Sequence, residues 1–467
     1  MKKLLLFSIV LLTSISISAQ DIVGDWHGVL EVPGAKMRLV IHISKNDIGY
    51  TTLLDSPDQG ANRIPVPQTT YNDGELILDL SNLSAAYRGI LNQENETFQG
   101  EFVQMGQSFP LNFSRQEIEG PKRPQHPKKP YPYHSEEVTF HNSKQDVTLA
   151  GTLTLPEKGE NFPAVILITG SGPQNRDEEI LNHKPFLVIS DYLTRNGIAV
   201  LRYDDRGVGA STGSFSGSTT ADFATDTEAA FEYLKTRTEI NPEKIGLLGH
   251  SEGGMIAPIV AATHQDVGFI ILLAAPGVSL GNVLLKQQEL ISKSMGVSDK
   301  FIALNKAINE KAYGLIAENK DSKELRKILK TYFEESLEKY PEWKEITGPN
   351  TPNNEIVEEL LTVYMDPWIL FSIPYNPAPT LEKVKCPVLV INGTMDLQVD
   401  ADQNLPPIKE ALRKGGNIHV TIKELEGLNH LFQESQTGSP MDYGNIEETF
   451  SLTVLEIIKD WIRENNF

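Results

Sequence analysis

Six short apolar runs, Ala164 to Ile168, Ile198 to Leu201, Ile245 to Leu248, Phe269 to Leu273, Val388 to Ile391 and Val420 to Ile422, recur through residues 136–467 with helical patterns between them. A strand that is apolar on both sides must be covered on both sides, so these runs predict a mostly parallel sheet with helices on its two faces. Strand-like residues at 138–141 and 147–155 precede them. A closing helix is predicted with Asn445 as its N-cap, Glu448 three residues on, and Phe450, Val454, Ile457, Ile458 and Trp461 along one face. Between Gly281 and about Thr380 the strand signal disappears, and residues 300–319 and 322–339 have a helical pattern. This predicts a helical insertion between two core strands. Its last piece, Asp366 to Pro379, reads as too proline-rich for helix and too aromatic for a solvated linker, and is expected near the mouth of a site.

The chain has 467 residues, enough for about three domains at roughly 150 residues each. In residues 21–115 the pattern is different: Met37, Leu39, Ile41 and Ile43 alternate with other residues, as do Leu76, Leu78 and Leu80. Period two with frequent turn signals predicts a small antiparallel β domain, a meander or a barrel closing on itself. Residues 116–135 contain five prolines among basic residues and read as an extended linker. Residues 1–20, with Lys2 and Lys3, the apolar run Leu4 to Leu12 and small residues up to Ala19, read as a signal peptide. The expected product is an exported protein, periplasmic or extracellular, without stable membrane insertion after cleavage. The formal charge of -20 argues against nucleic acid as a partner, and a single cysteine, Cys386, excludes a disulfide framework within the chain and Cys-rich metal sites.

The chemistry centres on Gly249, His250, Ser251, Glu252 and Gly253, a G-x-S-x-G directly after an apolar run and before a helix-compatible stretch. In that context a serine sits on a sharp turn with its hydroxyl above the sheet. A serine hydroxyl needs a base, and the base needs a carboxylate to hold its tautomer. After such an elbow the acid and then the base follow along the chain. His430, in a loop just past a strand, is the better base than His419, which lies within an alternating segment. Asp396, delivered by the turn that follows Val388 to Ile391, is the chosen acid; Asp400 and Asp402 are rivals expected to cap or solvate the next helix. Oxyanion donors are expected from the backbone N–H of Glu252 and of Ser171, with Gly172 as runner-up for the second. His250 is read as packing, and residues 202–211 as a structural turn with internal ion pairs. No histidine spacing suggests a metal, and no cofactor is expected.

Gly170 to Asp177, Arg202 to Gly209, Gly249 to Gly254, Asn392 to Asp396 and Leu428 to His430 together resemble the α/β-hydrolase superfamily. The narrower resemblance is to exported bacterial carboxylesterases with a β-rich domain before the hydrolase domain. It implies a cofactor-free serine carboxylesterase on small to medium acyl esters, with Ser251, Asp396 and His430 as triad and a helical cap at about 281–380 shaping the acyl pocket. Thr169 departs from the histidine many relatives carry there, a change expected to alter loop packing and leave the backbone donors in place. Peptidase or amidase chemistry, or removal of acetyl groups from carbohydrate, would use the same triad. The β domain loosely resembles a lipocalin-type structure and is read either as a ligand-binding module or as a packing domain.

Overall fold

The computed structural model describes residues 21–467 apart from 33–34, 60, 105–106, 320 and 348–350. The segment expected to be a signal peptide, 1–20, lies outside the described residues. The chain divides into two compact units, Met1–Gly120 and Pro121–Phe467.

In the first unit the described strands are β1 (Gly24–Val32), β2 (Ala35–Lys45), β3 (Tyr50–Ser56), β4 (Ala61–Pro65), β5 (Gln68–Asn72), β6 (Glu75–Leu80), β7 (Ala85–Asn92), β8 (Thr97–Gln104) and β9 (Gln107–Ser114). They form one antiparallel sheet in the order β4-β3-β2-β1-β9-β8-β7-β6-β5. The sheet curls until β5 approaches β3, where Thr69 Oγ1 donates to Thr52 Oγ1 at 2.9 Å. Alternation sends every second side chain inward, and Trp26, Leu30, Ile41, Leu78, Phe98 and Phe113 fill the interior. The Trp26 and Phe98 rings lie 4.5 Å apart. These side chains pack together as one apolar cluster.

The second unit contains β10 (His134–Asn142), β11 (Val147–Leu155), β12 (Phe162–Ile168), β13 (Ala199–Tyr203), β14 (Ile240–His250), β15 (Phe269–Leu273), β16 (Val388–Gly393) and β17 (Val420–Leu425). Their order is β10-β11-β13-β12-β14-β15-β16-β17, parallel from β13 onward and antiparallel at the β10–β11–β13 edge. All six apolar runs lie in the parallel part. Alternation along β12 sends Ala164, Ile166 and Ile168 to one face, against α2 (Thr220–Lys235), α3 (Gly253–Thr263) and α11 (Ala401–Lys414). It sends Val165 and Leu167 to the other face, against α1 (Pro185–Arg195) and α12 (Leu452–Glu464). This is the α/β-hydrolase fold preceded by an antiparallel β unit. No helix among the described residues is long and apolar enough to cross a membrane.

Between β15 and β16 stand α4 (Leu280–Ser294), α5 (Asp299–Glu318), α6 (Ser322–Lys339), α7 (Pro341–Thr347), α8 (Asn353–Tyr364), α9 (Pro367–Ser372) and α10 (Ala378–Leu381). Leu325, Leu329, Phe333, Trp343, Ile356 and Leu361 give these helices a core of their own.

Three local expectations need correction. The proline-rich piece from Asp366 is helical in two short turns, because Pro367 occupies the first turn of α9, where a missing N–H costs nothing, and Asp366 caps it by accepting from Trp368 N at 2.8 Å. The last helix starts at Leu452 with Ser451 as N-cap, later than the Asn445 signal. The residues between are claimed by tertiary bonds: Gln125 Oε1 accepts from Thr449 N and Phe450 N, and Gln433 Nε2 donates to the Glu448 carbonyl. Finally, the ion pairs of residues 202–211 reach partners outside that run. Arg202 pairs with Asp177, Arg176 with Asp204 at 2.7 Å, and Arg206 with Asp226 at 2.7 Å.

Candidate active site

Parallel strands end on one edge, and the candidate residues all follow the carboxyl ends of such strands. Ser251 lies between β14 and α3 with φ at 52°, in the left-handed region that a side chain seldom occupies. Its N–H donates to the Leu273 carbonyl at 2.9 Å, and its carbonyl accepts from Gly254 N at 2.9 Å. The motif glycines are there for space. A Cβ on Gly249 would stand 1.9 Å from the Gly253 carbonyl oxygen, and one on Gly253 would stand 2.2 Å from that of Ile168. The tight strand-to-helix turn therefore excludes any side chain at either position.

Asp396 follows β16. The turn that carries it is held by Asn392, whose amide donates to the Val399 carbonyl at 2.8 Å, and by Met395 N, which donates to the Leu428 carbonyl at 3.0 Å. Asp396 is buried, and its Oδ1 accepts from Gln398 N at 2.8 Å and Val399 N at 2.9 Å. Its Oδ2 lies 2.8 Å from Nδ1 of buried His430. The loop carrying His430 is pinned by Asn429, whose side-chain oxygen accepts from the N–H groups of Leu431 and Gln433, each at 3.0 Å. With Nδ1 committed to a carboxylate, Nε2 is the nitrogen left to exchange a proton. No hydrogen bond joins Ser251 Oγ to His430 among the described residues; such bonds are often long without substrate. The rivals lie elsewhere: Asp400 caps α11 through Gln403 N at 2.8 Å, while Asp402 and His419 are exposed.

Ser171, Ser251 and Glu252 line one cavity of about 110 Å³. Among the described residues, neither Ser171 N–H nor Glu252 N–H donates a hydrogen bond. The walls are Met255, Leu280, Val283, Trp368 and Val399. At roughly 30 Å³ for a water-sized group, the cavity holds only a few such groups. A larger open groove of about 380 Å³ around Phe140, Tyr233 and His264 does not include Ser251.

The shell behind the cavity is rich in ionisable groups. Thr169 Oγ1 donates to Asp205 at 2.7 Å and Gln174 N to the other Asp205 oxygen at 2.9 Å. Burial pushes the Asp205 carboxyl up to about 8, against those two bonds and with help from the negative charge of Glu252 and Glu178. The Glu252 carboxyl is also raised by burial, and it accepts from Thr220 Oγ1 at 2.6 Å and Trp368 Nε1 at 2.7 Å. His250, read from sequence as packing, does more than fill space: its Nδ1 lies 2.9 Å from Glu178 Oε1 and its Nε2 lies 2.9 Å from the His430 carbonyl oxygen. Nothing in the sequence marks Glu178 as its partner, 72 residues away. No cluster of metal-binding side chains occurs among the described residues.

Residues 185–331, which include Ser251 but neither Asp396 nor His430, match the family described as Hydrolase_4: Serine aminopeptidase, S33. The chain is 27% identical to Esterase EstD of Thermotoga maritima over 327 residues, 68% of this chain and 67% of that protein. It is 30% identical over 141 residues to the uncharacterized protein YfhR of Salmonella typhimurium, 30% of this chain and 44% of that one. Among solved structures, the Pyrococcus furiosus esterase Pf2001 aligns with a TM-score of 0.41 at 16% identity, covering 71% of this chain and 93% of that one. The α/β hydrolase GrgF from Penicillium sp. sh18 aligns at 0.44 and 18% identity, covering 71% and 99%. The family match and the curated esterase support a hydrolase.

Proposed function

We propose that this α/β-hydrolase is a serine carboxylesterase acting on short acyl esters through an acyl-serine intermediate. Ser251 Oγ attacks the ester carbonyl as its proton passes to Nε2 of His430. Asp396 holds the imidazole in the tautomer that leaves Nε2 free and stabilises the imidazolium that forms. The oxygen of the tetrahedral intermediate takes the N–H groups of Ser171 and Glu252. Collapse breaks the bond to the alkoxide, which leaves as alcohol with the proton from His430. Water, activated by the same imidazole, then attacks the acyl-serine and releases the acid.

The observation that carries this reading is the company Ser251 keeps: a left-handed elbow serine beside two unengaged backbone donors in one small cavity, at the sheet edge that also bears the 2.8 Å His430–Asp396 pair. The cavity size favours acyl groups of a few carbons. Ser251→Ala removes turnover of p-nitrophenyl acetate while leaving the melting curve in place, and a serine-reactive phosphonate labels Ser251 in the native protein. Undiminished hydrolysis by the variant overturns the reading.

A second reading, amide hydrolysis, is favoured by the family description as a serine aminopeptidase. The two differ in the leaving group that His430 must protonate, so an ester series run beside aminoacyl p-nitroanilides separates them. Residues 1–20 support the further proposal that the protein is exported, tested by cell fractionation with and without that segment.

A further inference from the structure

Two loops must be held in register for the proposed reaction, the one that presents Ser171 N–H and the one that presents His430. One buried pair touches both. Glu178 Oε1 accepts from Gly170 N at 2.8 Å, in the first loop, and lies 2.9 Å from Nδ1 of His250. His250 Nε2 lies 2.9 Å from the carbonyl oxygen of His430, in the second loop. The rings of His250 and His430 are 4.8 Å apart. Glu178 is 4% exposed and His250 6%.

The chemistry of the partners fixes the protons. A carbonyl oxygen only accepts, so Nε2 of His250 carries hydrogen. At Nδ1 a bare lone pair facing a carboxylate would be repulsive, so a proton also lies between Nδ1 and Glu178. The pair therefore holds one more proton than a neutral imidazole beside a carboxylate. Burial alone would lower the pKa of His250. The charge of Glu178, the bonds to Glu178 and to the His430 carbonyl, and the charge of Asp396 together raise it. The ionisable groups around the ring are Glu178, His430 and, beyond His430, Asp396; its other neighbours, Phe186, Leu273, Leu431 and Phe432, are apolar.

We infer that His250 and Glu178 are positioning residues, a proton-bearing bridge that ties the oxyanion loop at Gly170 to the base loop at His430. The inference rests on the proposed serine mechanism. Loss of the shared proton leaves one end of the bridge without a donor, loosens His430 against Ser251 and lowers kcat at alkaline pH. Displacements approaching 1 Å in such a site cost about 100-fold in rate.

The experiment measures kcat and KM on p-nitrophenyl acetate from pH 6 to 10 for the wild-type chain, Glu178→Gln and His250→Gln. Glutamine at 178 keeps an oxygen to accept from Gly170 N but removes the charge that retains the proton. Its kcat is expected within a few-fold of wild type at pH 6, with the alkaline limb moved to lower pH. His250→Gln is expected to lose about 10- to 100-fold in kcat at every pH, with KM nearly unchanged. A Glu178→Gln profile that superimposes on the wild-type one overturns the inference, and so does a His250→Gln kcat within twofold. If His250→Gln fails to fold, the Glu178→Gln profile decides alone.

Proton NMR of the wild-type chain reads the bridge without turnover. Two ring N–H resonances of His250 are expected at pH 7, and in Glu178→Gln the Nδ1–H resonance vanishes at a lower pH than in wild type. A single ring N–H at pH 7 sinks the proton assignment even if Ser251 is labelled by phosphonate. Two resonances with no labelling leave the bridge standing and remove the serine mechanism.

Discussion

The interior of the first unit and the carboxyl edge of the second unit's sheet are both buried, and they are built on opposite principles. The first is apolar and aromatic, with Trp26, Phe98 and Phe113 inside a closed-up sheet. The second buries Glu178, Asp205, His250, Glu252, Asp396 and His430 along the edge that carries Ser251. Burying an ionisable group is costly unless a partner compensates, and each of these six has a hydrogen-bonding partner. In the first unit the Tyr87 hydroxyl is buried and makes no hydrogen bond among the described residues.

The strongest way to break that contrast is Asp396→Asn. An amide can donate to Nδ1 and so hold His430 in the wrong tautomer. A loss of about 10⁴ in kcat is expected, with the melting curve little changed. Steady-state kinetics at neutral pH checks this, and a loss below tenfold would make the His430–Asp396 pair structural.

Asp205→Asn sharpens the contrast. The folded carboxyl is pushed up to about 8, above the 3.8 of an ordinary aspartate. Between those values the native state holds a proton that the unfolded chain has lost, so this residue's contribution falls as pH rises through the window and is gone above about 8. Asparagine mimics the protonated acid, its amide donating to Thr169 Oγ1 and its oxygen accepting from Gln174 N. The variant should match wild type below about pH 4, become progressively more stable than it as pH rises to about 8, and keep that lead above it in thermal denaturation. Parallel curves would contradict the assignment.

The smallest effect belongs to the first unit. Tyr87→Phe removes a hydroxyl that makes no hydrogen bond among the described residues. It should be neutral or stabilise by about 1 kcal/mol, read from denaturant unfolding. A marked destabilisation would reveal a partner for that hydroxyl.

Much of the architecture was legible because it is written locally. Alternation in residues 21–115 and doubly apolar runs beyond 136 announce an antiparallel sheet and a parallel one. The errors fell where distant groups took over. Asn445 and Glu448 form a reasonable helix start, yet Gln125 and Gln433 claim the intervening backbone and the helix waits for Ser451. The cap piece after Asp366 departs from expectation because Pro367 and Pro379 fall at the first turns of helices, which composition alone does not reveal.

The sequence by itself determined the elbow, since Gly249, Ser251 and Gly253 answer to steric demands within one tight turn. It also named a candidate acid and a candidate base, Asp396 and His430, which the structure places 2.8 Å apart. Only the tertiary structure decided that His250 reaches back to Glu178 and across to the His430 carbonyl, 180 residues away. The reason is geometric: a hydrogen bond depends on position to within a few tenths of an ångström, and chain separation leaves that position open until strands and loops have packed.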